Sequence, residues 1–287
     1  MTLPPGFAVG HWTDPVALTG CTVVLCEGSA TAAVDVRGGA PGTIQTDVIG
    51  PASATAILHG VLLTGGSAFG LAAYAGVMRF LEEKHIGFAV REWRVPHVAG
   101  AVIFDLMIGD GKVRPDANAG YAACRMANDA PAEGQVGAGT GATTAKLSGG
   151  HRPGGLGIAS ALAGDATVTA IMVVNALGDV WDAERNEWAA RSAPGPSAVK
   201  GGNTTIGVVM TDAVLDRGAT RRVAMTAQDG LARAIRPAHT DRDGDTIFAM
   251  AAGPVAADPF AVQFAAADAV ERAIVRAVRS AGGTMER

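Results

Sequence analysis

Charge is scarce in this 287-residue chain. Asp, Glu, Lys and Arg together make up 17% of it, and 23 basic against 27 acidic residues leave a net charge of −4. That balance gives no basic footprint for a nucleic-acid backbone. Aromatic residues amount to 5%, which removes the stacking platforms on which single strands are bound. The three cysteines, Cys21, Cys26 and Cys124, fit neither a metal site nor a redox pair and read as small buried hydrophobes. None of the six histidines pairs at i, i+4, so no metal site is expected, and no motif asks for a cofactor. Also missing is any run of 18 uncharged apolar residues, so no membrane-spanning helix is expected. The opening MTLPPGFAVGHWTDP has no basic start followed by an apolar core. A reduced, cytoplasmic setting is therefore expected.

Hydrophobic residues, by contrast, reach 48%, which excludes a disordered chain. The 39 glycines are about twice the usual share. They gather in short runs between apolar segments, the pattern of tight turns between strands. Buried strands are predicted at residues 21–25, 60–63, 101–107, 168–175, 205–209 and 246–251. Helical spacing of apolar residues appears at 69–83, 221–235 and 259–280, with alanine- and glycine-rich faces that suit close helix-to-sheet packing. The length suits a single layered domain, 1–287. Residues 191–202 (RSAPGPSAVKGG) form the most loop-like segment, and a strand-like TIGVV follows almost at once.

A glycine-rich sequence generates decoys. Residues 137–142 (GAGTGA) have the form of a dinucleotide fingerprint, but the preceding NDAPAEGQV is polar where an apolar strand is required. Lys146 follows Ala145 and precedes Leu147, which is not a P-loop. Gly66-Ser67 is not a nucleophile elbow, because Phe69 stands where the second glycine belongs.

The junction at Asn203-Thr204 has more chemical content. A threonine between a flexible loop and a buried strand can turn its hydroxyl on the preceding peptide carbonyl, converting the amide to an ester that water cleaves. The product is an N-terminal threonine whose α-amine, with an ordinary pKa near 8, can act as general base without a histidine. Loop-to-strand threonines are common, so the junction alone leaves a purely structural reading open.

Several blocks in order reinforce the catalytic reading: 18–25 (LTGCTVVL), 34–42 (VDVRGGAPG), 63–71 (LTGGSAFGL), 101–105 (AVIFD), 115–122 (PDANAGYA), 136–146, 202–205 (GNTT) and 239–249 (HTDRDGDTIFA). In these the chain resembles the peptidase P1 family, which includes L-aminopeptidase D-Ala-esterase/amidase and nylon-oligomer hydrolase. The resemblance implies an α+β fold, a four-layer αββα sandwich with N-terminal-nucleophile-like layering and the topology of the ornithine acetyltransferase/P1 peptidase type. It implies a self-cleaving amide hydrolase with Thr204 as nucleophile and Asn203-Thr204 as the scissile bond, giving chains 1–203 and 204–287. It assigns Lys146 and Asn175 to the site, the lysine to tune or bond the nucleophile and the asparagine amide to donate to an oxyanion. Asp243 and Asp245, read as alternating positions on an extended DGD, match acidic residues that orient the nucleophile. Some relatives carry tyrosine where Phe104 stands. The substrate implied is a small peptide or amide, including D-amino-acid amides, β-peptides or ω-amino-acid oligomers. The assembly implied is a homo-oligomer, a tetramer or larger. An acyltransferase of the ornithine acetyltransferase kind and an uncleaved, non-catalytic oligomeric protein are the alternatives.

Overall fold

A period of two runs through the central strands and separates three apolar layers. In the Thr204–Ala213 strand, Ile206, Val208 and Met210 join one buried cluster while Val209 joins another. In Ala166–Asn175, Ile171 and Val173 face the first cluster while Met172 and Val174 face the second. Successive side chains of a strand point to opposite faces, so near-continuous apolar runs signify sheets covered on both sides. The structure, a computed structural model, describes residues 3–195 and 202–282.

The main sheet runs in the order Gly155–Ala163, Ala166–Asn175, Thr204–Ala213, Thr246–Val255, Thr19–Val36, Ile57–Thr64, Val98–Val102 and Thr43–Ile44, with Phe7–Asp14 paired to Thr19–Val36. The Thr204–Ala213 and Thr246–Val255 strands are parallel, as are Ile57–Thr64 and Val98–Val102. The 18-residue strand Thr19–Val36 joins the two halves. Residues 21–25 pair with 60–64, residues 31–36 pair with 246–251, and the register shifts between Leu25 and Ala30. Val24, Val61 and Leu63 from one half meet Ile171, Val208 and Phe248 from the other in a cluster that contains no residue of any of the four α-helices. Each such buried large side chain contributes roughly 1.5–3 kcal/mol.

Helices cover the outer faces. Tyr74–Glu83 (α1) and Ala117–Arg125 (α2) pack on Val23, Leu62 and Val98. Arg217–Ala234 (α3) and Pro259–Gly282 (α4) pack on Met172, Val209 and Ile247. The order is therefore helix, sheet, sheet, helix, as expected. No helix among the described residues is long and apolar enough to cross a membrane. Cys21, Cys26 and Cys124 are free and buried.

Glycine lets the outer helices touch. At Gly230 in α3, an added Cβ would lie 2.1 Å from the carbonyl oxygen of Ala267 in α4. Gly→Ala inside a helix ordinarily gains about 1 kcal/mol. Here the clash is with backbone, and forcing extra volume into a packed layer costs about 1–3 kcal/mol. Gly230→Ala is thus expected to lower the melting temperature, and a rise would contradict this account of the helix pair.

Three local expectations are corrected. The strand predicted at 101–107 ends at Val102. Beyond it the buried carboxylate of Asp105 accepts from the Thr19 hydroxyl (2.7 Å) and the Gly66 N–H (2.6 Å), and the chain turns to meet them. The DGD segment is not extended strand either, since the strand begins at Thr246. The helix predicted from 69 starts as a 3-10 turn, Ser67–Ala73, before α1. Of the predicted loop 191–202, residues 196–201 lie outside the described residues.

Candidate active site

Thr204 opens the Thr204–Ala213 strand and is buried. The left-handed backbone of Gly202 (φ +101°) turns the chain into it, and a Cβ there would lie 2.5 Å from the Phe104 ring. The Thr204 hydroxyl donates to the carbonyl oxygen of Asn203, the residue before it. The same oxygen accepts the backbone N–H of Gly244 at 3.1 Å. The Asn203 carbonyl is thus polarised by a fixed amide donor, the kind of arrangement that stabilises an oxyanion.

Asn175 ends the antiparallel neighbour strand and stands directly opposite Thr204. Opposed residues share one face of a sheet with Cβ atoms about 4.5–5.5 Å apart. The Asn175 side chain is fully buried and saturated. Its Nδ2 donates to the carbonyls of Phe104 (3.1 Å) and Gly202 (3.3 Å). Its Oδ1 accepts from the Thr143 N–H (3.0 Å) and from Lys146 Nζ (2.9 Å). Lys146 Nζ also reaches the Asn175 carbonyl at 3.2 Å. Burial pushes the Lys146 ammonium down to about 7, against the pull of the Asp243 carboxylate. Near neutrality this amine exists in both forms, as a group that must accept and return a proton requires.

Asp243 and Asp245 flank Gly244 and both reach the junction. Asp245 Oδ1 accepts the Thr205 N–H (2.8 Å), and Oδ2 accepts the N–H of His239 and contacts its Nδ1, each at 2.9 Å. Asp243 pairs with Asn203 in an isolated bridge, and its carboxylate accepts the Leu177 N–H (3.3 Å) and the Thr240 hydroxyl. Burial, then the neighbouring Asp245 carboxylate, raises the Asp243 pKa. Gly38 lies close behind: a Cβ on it would come within 2.3 Å of the Asp243 carbonyl oxygen. Four segments, 143–146, 175–178, 202–205 and 240–245, therefore converge on one peptide bond. All six residues singled out from the sequence lie in it.

A cleft of about 240 Å³ opens beside the junction, and its lining includes Phe104, Met107, Ile108, Thr143, Lys146, His151, Gly202 and Asn203. A larger cavity of about 590 Å³, bounded by Asp182, Glu184, Arg272 and Arg276, touches none of these groups. Of the two, it is the smaller one that borders the Asn203-Thr204 junction.

A model of peptidase family S58 matches residues 4–287. The chain belongs to peptidase family S58. An uncharacterized aminopeptidase of Mycobacterium leprae is 47% identical over 88% of this chain and 78% of that protein. A 6-aminohexanoate-oligomer endohydrolase of Kocuria sp. is 31% identical over 86% of this chain and 73% of that protein. Among solved structures, the L-aminopeptidase D-Ala-esterase/amidase of Ochrobactrum anthropi, described as a variant of the Ntn hydrolase fold, superposes with a TM-score of 0.75. It is 20% identical, and the match covers 98% of this chain and 88% of that one. The family resemblance and the sandwich fold hold, and this S58 chain is a hydrolase of amide bonds.

The candidate site contains groups that the sequence did not single out. Thr143 anchors the Asn175 oxygen, and Thr240 and His239 hold the two aspartates. Thr143 and His239 lie in sequence blocks already noted, 136–146 and 239–249, but no spacing rule gives them roles. The Gly244 amide carries no side-chain signal at all.

Proposed function

We propose that this S58 chain is a self-cleaving N-terminal-threonine amide hydrolase. The observation that carries the reading is the Thr204 hydroxyl on the Asn203 carbonyl, with the Gly244 amide on the same oxygen. In maturation, Thr204 Oγ1 adds to that carbonyl and gives up its proton to a base. The C–N bond breaks as the Thr204 nitrogen takes a proton, and water hydrolyses the resulting ester. The 1–203 chain ends in a carboxylate and the 204–287 chain begins with a free amine. In turnover the same oxygen attacks a substrate amide, the amine departs protonated, and water releases the acyl group. Lys146 is the base best supported, because its pKa of about 7 leaves a neutral fraction at working pH. Asn175 fixes that amine and donates its side-chain amide to the Gly202 carbonyl, one residue before the junction. Asp243 and Asp245 hold the backbone on either side of Gly244. The substrates are small peptides or other amides, in line with the relatives' names. Mass spectrometry of the purified protein tests maturation, and release of amine from a panel of amide oligomers and anilides tests turnover. One intact 28.9 kDa mass together with no hydrolysis would sink the reading.

The aspartates separate by experiment into turn-holding and catalytic parts. Asp243→Asn and Asp245→Asn are both expected to slow cleavage and turnover per folded molecule by at least about tenfold, the lower end of what lost positioning groups cost. Early melting with undiminished activity per folded molecule would assign them to the turn alone.

The functional unit is proposed to be a homo-oligomer, a tetramer or larger. The hairpin of Phe88–Val90 and Trp93–Val95 exposes Phe88, Val90, Trp93 and Val95. Four large apolar side chains on one hairpin form the kind of patch that partners cover. Light scattering at micromolar concentration is expected to give about four times the single-chain mass of 28.9 kDa or more. A sharp single-chain mass would rule the assembly out.

A further inference from the structure

Four sequence blocks, 18–25, 63–71, 101–105 and 136–146, meet at one buried side chain that the proposed function leaves unused. Asp105 is 3% exposed. Its Oδ2 accepts the Thr19 hydroxyl at 2.7 Å and its Oδ1 accepts the Gly66 N–H at 2.6 Å. The turn that supplies this N–H is left-handed at both Gly66 (φ +79°) and Ser67 (φ +52°), a conformation that disfavours a serine. Glycines close around the carboxylate. A Cβ on Gly65 would lie 2.2 Å from Asp105 Oδ2, and one on Gly141 would lie 2.9 Å from Asp105 Cβ. Burial raises the Asp105 pKa, and the Gly66 and Thr19 donors oppose the rise.

The backbone that this carboxylate fixes flanks Asn175 on two sides. Phe104, the residue before Asp105, offers the carbonyl that accepts Asn175 Nδ2 at 3.1 Å. Gly141, packed on the Asp105 side chain, stands two residues before Thr143, whose N–H reaches Asn175 Oδ1 at 3.0 Å. The two ends of an amide head group have nearly the same shape, so its partners decide which end is oxygen. With a carbonyl at one end and an N–H at the other, Asn175 turns its oxygen to Lys146 Nζ (2.9 Å). Both orienting groups belong to segments that touch Asp105.

We propose that Asp105 is a positioning residue of the candidate active site. It ties the Thr19 and Gly65–Gly66 turns to residues 104 and 141, and so holds the Asn175 amide in its orientation toward Lys146. The inference rests on the proposed hydrolase reading, in which Lys146 is the base, and adds to it a residue that touches no reacting atom.

The test measures kcat and KM per cleaved molecule on one p-nitroanilide, the member of an aminoacyl and acyl series that the unmodified enzyme turns over fastest. Asp105→Ala leaves the Gly66 N–H and the Thr19 hydroxyl unanswered. It is expected to lower kcat by at least about tenfold while KM changes by less than about threefold. Asp105→Asn can keep its oxygen on the Gly66 N–H and turn its NH2 to the Thr19 oxygen, so kcat should return to within about threefold of the unmodified value. The same Asp105→Ala change is then made in an Asn175→Ala background. A residue that acts through Asn175 has little left to lose there, and a further drop of less than about threefold is expected. A second drop of about tenfold in that background would show an independent effect and overturn the proposal. An unchanged kcat in Asp105→Ala, a loss confined to KM, or no rescue by Asp105→Asn would overturn it as well. If Asp105→Ala does not fold or mature, Thr19→Val removes one of the two donors at nearly equal volume. Its kcat is expected to fall by about threefold or more, and an unchanged value overturns the proposal. Failure of the correctly cut, unmodified protein on every anilide would instead overturn the hydrolase reading itself.

Discussion

Thr204→Ala is expected to give a single uncut chain on a denaturing gel, where the unmodified protein gives fragments of 203 and 84 residues. The substitution removes one oxygen. No other hydroxyl at the junction stands next to the Asn203 carbonyl, since Thr205 sits one peptide further along the strand. The Gly244 N–H would still polarise the Asn203 carbonyl, but a polarised carbonyl without a nucleophile is stable. Amide hydrolysis should vanish with cleavage, since the same oxygen serves both. Thr204→Ser keeps the hydroxyl and should cleave, with a rate that reflects the lost methyl packing. Division of Thr204→Ala into the two fragments would mean that another group performs the attack.

Lys146→Ala is expected to lower turnover by at least about two orders of magnitude, the scale measured when an acid/base or oxyanion group is lost. The pH dependence gives the sign. Burial holds the Lys146 pKa down at about 7, so the amine is protonated and useless as a base below that value and free above it. The rate of the unmodified enzyme should therefore rise with pH through about 7. Lys146→Arg sharpens the assignment, because a guanidinium keeps the charge and cannot give up its proton. Under the base assignment Lys146→Arg is as poor as Lys146→Ala. Near-normal turnover of the arginine variant would make Lys146 a charge that tunes its neighbours. Retention of activity by Lys146→Ala would remove it from the site.

The outline of the fold was legible because its strands are covered on both faces. Runs such as 168–175 and 246–251 have to be buried strands in any compact arrangement, and the stripes on 221–235 and 259–280 have to be helices lying on them. The limits of elements were less legible where buried polar groups intervene. The run 101–107 continues in apolar residues, yet the Asp105 carboxylate needs donors that a strand cannot offer, so the strand stops at Val102. The DGD segment alternates like a strand in sequence, yet its carboxylates are spent on N–H groups and hydroxyls across a turn. Both aspartates still reach the Asn203-Thr204 junction, Asp245 through the Thr205 N–H and Asp243 through its bridge with Asn203, a route that alternation did not anticipate.

The candidate site divides in the same way. Thr204, Asn203, Lys146, Asn175, Asp243 and Asp245 were named because their residue types and ordered blocks survive in one dimension. Read in one dimension, the ordered blocks carried the family resemblance, and that resemblance implied the sandwich class, the candidate residues and the bond expected to react. The tertiary structure decided the rest: Asn175 directly opposite Thr204, the Lys146 amine buried on Asn175, the Gly244 amide on the Asn203 carbonyl, and a cleft lined by bases and apolar groups. These are properties of distance and desolvation between segments up to about 100 residues apart. A backbone N–H has no letter of its own in the sequence, and a pKa is set by what surrounds a side chain once the chain has folded.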